Sequence, residues 1–414
     1  MPDHLDQLET RDPALRERQQ LARLPAQIAH AKEHARAYAR ILADVDPAQV
    51  VTRAALAALP VTRKADLIAL QNDHPPFGGF APAGWGHAAR VFASPGPIFE
   101  PEGRQVDYWR FSRGLFAAGL RGGDLVHNCF SYHFTPAGSM FEGGALALGC
   151  TVFPGGTGQT EQQVAVMAHL QPDAYTGTPS FLKIILDRAD RMGVTLHKLR
   201  KALVSGEAFP ASLRRDLQDR AVDAYQAYGT ADVGAIAYET VARDGLVIDE
   251  GILVEIVRPG TGDPVAAGEV GEVVVTTLFN PDYPLIRFGT GDLSAALPGQ
   301  SPCGRTNGRI AGWLGRADQA AKVRGLFVHP TQVASILARH PEIAAARLVI
   351  GHEAAGDTLT LQVEARAGAH VDDASIVATI REITKLRGAV ELQASGTLPC
   401  DGKVIEDRRA LDAR

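Results

Sequence analysis

Cysteine is scarce in this chain. Four occur in 414 residues, Cys129, Cys150, Cys303 and Cys400, and no two form a C-x-x-C pair. A disulfide scaffold or a zinc ribbon is therefore excluded as the organising principle. Positive charge is not in surplus either: 42 Lys and Arg stand against 47 Asp and Glu, a net charge of -5. That balance gives no electrostatic basis for a nucleic-acid or anionic-membrane partner. The longest apolar stretch, Gly143 to Phe153, is too short and Gly-rich to span a bilayer, and the charged opening MPDHLDQLETRDPALRERQQ lacks the apolar core of a signal peptide. The expectation is a soluble, reduced, cytoplasmic protein. Hydrophobic residues at 45% and charged ones at 21% argue against disorder and coiled coil. What the chain has in quantity is turn-formers, 42 Gly and 25 Pro without a repeating period. They imply tight turns and places where backbone approaches a ligand closely.

The length calls for two or three folding units. Residues 10 to 42 read as helix interrupted at Pro25, and the Pro/Gly-dense stretch from Pro75 to Gly103 reads as loop. From there short strands alternate with helices. Helix is expected over Asp107–Ala118, Met140–Leu148, Glu161–His169 and Phe181–Arg191, and strand at Leu125–Cys129, Thr151–Phe153, Ala174–Thr176 and Lys201–Val204. This is the pattern of an α/β sheet with parallel crossovers. Beyond residue 235, Leu246–Val257 and Gly271–Leu278 are rich in Val, Ile and Thr and read as a β-rich subdomain. A second change near residue 318 opens a small α+β unit.

Several short blocks could carry chemistry, and their order matters more than any one of them. Tyr228-Gly229-Thr230-Ala231-Asp232, expected to follow a strand, could present a carboxylate to Mg²⁺. Asp292, in LIRFGTGD and expected to follow a strand, could take two ribose hydroxyls. The block from Gly315 to Gly325 packs charges between glycines where the texture changes, as a functional joint would. Lys403, on a Gly-containing turn, could reach a phosphate or a developing negative charge. Ser205-Gly206-Glu207 and Thr178-Pro179-Ser180 each follow a strand, where open α/β sheets bind ligands. Read singly, most of these blocks could equally be turns or solvated side chains.

Together they resemble the phenylacetate–CoA ligase family of adenylate-forming enzymes. The resemblance rests on GTPSF at 177–181, SGEAFP at 205–210, YGTADVG at 228–234, PLIRFGTGDLS at 284–294, PCGRTNGRI at 302–310, GRADQAAKVRGLFVHPTQV at 315–333 and GKVIEDRR at 402–409. It implies an AMP-binding α/β domain over residues 1–318, containing the β-rich part, and a mobile α+β lid over 319–414. It also implies a carboxylic acid activated by ATP and Mg²⁺ to an acyl-adenylate, then transferred to coenzyme A, and it admits a homodimer. By the same resemblance Lys403 steadies the carboxylate and α-phosphate, Asp292 holds the ribose, and Arg316 and Trp313 lie beside the nucleotide. Ser205, Gly206, Glu207 and Tyr228 line the adenine pocket, Gly229 belongs with the other nucleotide-binding residues, and Thr230 meets the α-phosphate. Asp232 takes the Mg²⁺-ligand role, Asp318 is the hinge, and Tyr132, His133 and Phe134 wall the acyl pocket.

The family's phosphate loop, SSGTTGKP, is replaced here by Ser94-Pro95-Gly96-Pro97-Ile98-Phe99-Glu100-Pro101. Two N–H donors, hydroxyls and the lysine are gone, and Glu100 is expected to repel phosphate. Ala231 stands where the family has Ser or Thr, and Asp232 where it has Glu. The leading reading is an acyl-CoA ligase for a small acid, aromatic or short aliphatic. The alternatives are a divergent enzyme running only the adenylate or acyl-transfer half-reaction, and a non-catalytic nucleotide- or acyl-binding protein.

Overall fold

The computed structural model describes residues 3–82, 85–95, 97–319, 321–323, 326–353, 356–399 and 403–409. They fall into two compact units, Met1–Thr290 with Ser294–Trp313, and Gly291–Leu293 with Leu314–Arg414. Among the described residues no helix is long and apolar enough to cross a membrane.

The first unit opens with helices Pro13–Leu21, Leu24–His34 and Arg36–Ile41. Pro25 sits in the first turn of the second of these, where a helix has no intrahelical N–H bond to lose. Fourteen strands follow in this unit or on its border: β1 Thr62–Arg63, β2 Arg90–Ser94, β3 Ile98–Glu102, β4 Leu125–Asn128, β5 Thr151–Pro154, β6 Ala174–Gly177, β7 Lys201–Val204, β8 Asp223–Thr230, β9 Gly234–Tyr238, β10 Leu246–Ile248, β11 Ile252–Val257, β12 Val270–Thr277, β13 Phe288–Leu297 and β14 Arg309–Ile310. All but β2 and β3 join one sheet, in the order β11-β12-β13-β14-β10-β9-β8-β7-β6-β4-β5, with β1 on β13.

The chain character changes at β8. It pairs parallel with β7 and antiparallel with β9, so the βα half and the β-rich half share one continuous sheet. β4, β6, β7 and β5 are parallel and linked by helices such as Ala137–Ala147, Thr160–Leu170 and Pro179–Arg191. Strands covered on both faces need continuous apolar runs, and Ala174, Tyr175, Ala202, Leu203 and Val204 are all buried. The last of those helices starts on Thr178, whose hydroxyl caps Phe181 N–H, with Pro179 at its first position.

Two expectations are corrected. The stretch from Pro75 to Gly103 is not all loop: β2 and β3 form a hairpin in register Ser94↔Ile98 to Arg90↔Glu102, with Phe92, Ile98 and Glu100 buried. Helix over Asp107–Ala118 is confined to Ser112–Ala117. Asp107 and Arg110 adopt positive φ, and the Asp107 carboxylate accepts the N–H groups of Phe111 and Ser112 (2.9 and 3.1 Å), so a side-chain-capped turn precedes the helix.

The second unit contains β15 Ala321–Val323, β16 Leu326–Val328, β17 Ile343–Glu353, β18 Gly356–Ala365, β19 Ala389–Gln393 and β20 Ile405–Asp407. A four-stranded sheet, β19-β18-β17-β20, packs helices Pro330–Arg339 and Asp373–Thr384 around Ile336, Leu348, Ile350, Leu361, Ile376 and Ile380. This is an α+β unit with its own core.

Candidate active site

The carboxyl ends of β4, β6, β7 and β8 lie side by side and carry most of the candidate residues of the first unit. Ser205, just past β7, donates its N–H to Gly177 O (3.2 Å) and its hydroxyl to Ala227 O (2.8 Å), which lashes three strand ends together. Gly206 needs its positive φ of +85° for the turn that follows. The Glu207 carboxylate accepts Ser180 N–H at 2.7 Å, in the first turn of helix Pro179–Arg191. Its chemistry here is therefore that of an anchor for the Thr178–Ser180 turn.

Tyr228, Gly229 and Thr230 do not follow a strand, as expected, but form the end of β8, with a register irregularity between Tyr228 and Gly229. Tyr228 is buried, its hydroxyl 3.5 Å from that of Thr290. The turn to β9 is tight. A Cβ on Gly229 would sit 2.4 Å from Gly234 O, and one on Gly234 would sit 2.7 Å from Trp109 O. The Thr230 hydroxyl accepts Val233 N–H (3.2 Å), which turns the chain so that Asp232 points inward.

Asp232 is 1% exposed. Its Oδ2 takes a 2.6 Å bond from Lys64 Nζ, while its Oδ1 is buried without a hydrogen-bond partner. Lys64 follows directly on β1, whose pairing with β13 fixes it there. Sequence reasoning passed over this lysine, which lies 168 residues from its partner in no block resembling a nucleotide motif.

The segment that replaces the phosphate loop stands next to this pair. Glu100 is fully buried on β3, and its carboxyl binds both the hydroxyl and the N–H of Ser94. Burial, and then the negative Asp232, push its pKa up to about 8, only partly opposed by Ser94 and Lys64. Near neutral pH the side chain is therefore protonated. The expected repulsion of phosphate by Glu100 is corrected: the group is turned inward and uncharged. The Ser94 hydroxyl, the one that remains of the loop, is committed to Glu100. Gln71, on helix Leu67–Asp73, brackets Phe99 by donating to its carbonyl (2.9 Å) and accepting its N–H (2.8 Å).

The proposed acyl wall follows β4. Asn128 donates to the Tyr132 hydroxyl (2.7 Å) and to Gly138 O (2.9 Å), and Phe134 O accepts Ala93 N–H from the hairpin (2.8 Å). Tyr132 is half-buried, but His133 and Phe134 are exposed, and the Phe134 ring faces solvent with 77% exposure. Trp313 is also partly exposed.

In the second unit, Asp292 and Arg316 are brought together by a backbone bridge and a 3.2 Å ion pair. Asp292 does not follow a strand, as expected, but lies inside β13, next to Gly291, where a Cβ would stand 2.7 Å from Arg316 Nη2. Asp318 belongs to the turn Ala317–Gln319. Lys403 is exposed and immediately precedes Val404, which is pinned by Gln319 Oε1 (2.9 Å) and by Leu348 N–H (2.9 Å).

Among the described residues no three His, Cys, Asp or Glu side chains group as a metal site. Mg²⁺ carried by a nucleotide needs only one or two carboxylates besides phosphate and water, and the unpartnered Asp232 Oδ1 fits that lesser requirement.

Residues 106–278 match the family model for AMP-binding enzymes. The chain is 35% identical to the phenylacetate-coenzyme A ligase of Aromatoleum evansii, over 85% of this chain and 82% of that one. The chain belongs to the phenylacetate–CoA ligase family. The family's Pseudomonas putida ligase is 31% identical across 98% of this chain and 97% of its own. Among solved structures, an open conformation of 2-hydroxyisobutyryl-CoA ligase, in complex with 2-HIB-AMP and CoA, superposes with a TM-score of 0.83 at 25% identity. That match covers 98% of this chain and 92% of the other. The two-domain adenylate-forming fold of the family is thus the fold of this chain.

Proposed function

We propose that this member of the family is an ATP-dependent, AMP-forming acyl-CoA ligase for a small carboxylic acid, an aromatic acid being the first to test. The observation that carries the reading is the Tyr228–Asp232 turn. It sets a buried carboxylate with one unpartnered oxygen, and a lysine against the other, beside the aligned ends of the parallel strands. Such strand ends form the ligand crevice of open α/β sheets.

In the first half-reaction a carboxylate oxygen of the acid attacks the α-phosphorus of ATP. The bond to the bridging oxygen breaks, and pyrophosphate leaves. Asp232 Oδ1 would hold Mg²⁺, which when bound supplies positive charge to the departing phosphates. Lys64 Nζ, already on Asp232 Oδ2, brings a second positive charge to the same place. In the second half-reaction the CoA sulfur attacks the acyl carbon, the thiol proton passes to solvent, and AMP leaves. Asp292 would hold the ribose with Arg316 beside it, and Lys403 would steady the carboxylate during adenylation. Rotation of the second unit about Asp318 would exchange the groups serving each half-reaction. 2-Hydroxyisobutyryl-CoA ligase has been captured in open, postadenylation and thioesterification states, which supports that reading.

The test is ATP–pyrophosphate exchange over a panel of aromatic and short aliphatic acids, with CoA thioester formation followed separately. Exchange and thioester formation with one class of acid are expected. Absence of exchange with every acid, while AMP still binds, would refute the ligase reading.

A further inference from the structure

A cavity of about 350 Å³ lies in the first unit between helix Arg36–Ile41 and the turn from His74 to Phe80. It contains none of the residues placed in the candidate active site. We propose that this cavity is a second ligand site, for a small planar aromatic carboxylate.

The walls are built in place. Ala37 N–H donates to Gly79 O (2.9 Å) and Gly78 N–H to His74 O (2.9 Å), while Phe80 is fully buried with its ring edge-on to Tyr38 at 5.3 Å. Gly78 and Gly79 both adopt positive φ. A Cβ on Gly78 would come 3.2 Å from Leu70 Cβ, and one on Gly79 would come 3.2 Å from Ala37 N. The turn therefore has little freedom to collapse into the space.

The lining has two characters. Phe77 and Trp85 form an aromatic side, ring edge to ring face at 6.2 Å, and Trp85 is 66% exposed. Arg36 and Arg40, one helical turn apart, supply positive charge, with His34 and His74 beside them. Among the described residues no carboxylate lines the cavity. Among the described residues neither arginine has an ion pair or a side-chain hydrogen bond. In a chain of net charge -5, two unneutralised guanidinium groups lining the same cavity as two aromatic rings are a local inversion of sign. Guanidinium planes suit a carboxylate held by two oxygens, and the exposed indole offers a stacking face. The volume is at the small end of ligand pockets, enough for a one-ring acid.

Trp85 supplies the readout. Benzoate would be titrated into the full chain while tryptophan fluorescence and heat of binding are followed, with benzyl alcohol and AMP as comparison ligands. A saturable Trp85 signal is expected with benzoate and not with benzyl alcohol. It should be lost in Trp85→Phe, with the heat of binding retained. In Arg36→Ala/Arg40→Ala the affinity should fall at least tenfold, with the circular dichroism spectrum and CoA-ligase rate unchanged. Equal benzoate affinity in wild type and the double variant would overturn the proposal. So would saturation by AMP at this site in preference to benzoate, which would assign it to a phosphate-bearing ligand instead. A double variant that loses its fold is replaced by Arg40→Gln alone, for which an unchanged benzoate affinity is again the refuting outcome.

Discussion

Replacing Glu100 by Gln should make the chain less sensitive to rising pH. In the folded protein the Glu100 carboxyl is pushed up to about 8 by burial and by Asp232. In the unfolded chain it returns to the ordinary value of 4.5. Between those values the folded state holds a proton that the unfolded state has released, so raising pH favours unfolding. The contribution is intact below about pH 4.5 and is lost as pH climbs through about 8. Each pH unit inside the window is worth at most about 1.4 kcal/mol, so going from pH 5 to pH 7.5 costs wild type roughly 3 kcal/mol from this group. Gln keeps the shape and the Ser94 contacts without a proton to lose. The assay is denaturant unfolding of both proteins at pH 5, 6, 7 and 8, read by tryptophan fluorescence. All three tryptophans, Trp85, Trp109 and Trp313, lie in the first unit, so the signal reports that unit. The two proteins should match near pH 5, and the Gln variant should gain steadily above it. Other buried acids, Asp107, Asp249 and Glu255, cancel in the comparison because both proteins carry them. Parallel curves across the whole range would show that Glu100 ionises freely, and the account of an uncharged, inward-turned group would be wrong.

Lys64→Ala leaves the buried Asp232 charge without its partner, and removing one member of a buried pair typically costs about 3–5 kcal/mol; chemical denaturation would measure it, and a change under ~1 kcal/mol would count against the pairing. Lys403→Ala should lower ATP–pyrophosphate exchange by about 100-fold or more, the usual size for one transition-state donor, with the melting temperature unchanged. An unaltered exchange rate removes that assignment. Asp292→Ala should raise the KM for ATP about tenfold or more, corresponding to roughly 1.4 kcal/mol, with the acid's KM nearly constant. Removing divalent metal with EDTA should abolish exchange, and Mg²⁺ should restore it; exchange that persists without metal would refute the Asp232 metal role.

Much of the fold was legible because short apolar runs bounded by turn residues have few alternatives. β7 was read at its observed bounds, Lys201–Val204, since Ala202, Leu203 and Val204 stop at Ser-Gly. The hairpin β2–β3 was missed because Pro and Gly density signals loop, and its pairing depends on burial of Ile98 and Glu100 that the local sequence does not advertise. The turn at Asp107 has helix-forming neighbours, and one carboxylate accepting two N–H groups overrides them. In the site, blocks of sequence pointed to Tyr228–Asp232 and Asp292, but not to how Asp232 is neutralised. Lys64 comes from a distant strand through the β1–β13 pairing, and such a contact leaves no local pattern. Glu100 was identified as an anion in the wrong place, yet only burial could reveal that it carries a proton.

The hairpin also bears on how the edges of a small sheet are covered. A two-stranded sheet standing apart from the main one has two open edges, and open edges invite pairing with another chain. Here the Gln71 amide occupies both backbone groups of Phe99, Pro101 has no N–H to offer, and on the opposite strand Phe134 O has claimed the N–H of Ala93. Part of the ribbon's open border is thus taken up by one side chain, one imino acid and one loop carbonyl. Gln71→Ala would reopen part of that border, so Gln71 guards an edge of the hairpin from outside the chemistry altogether.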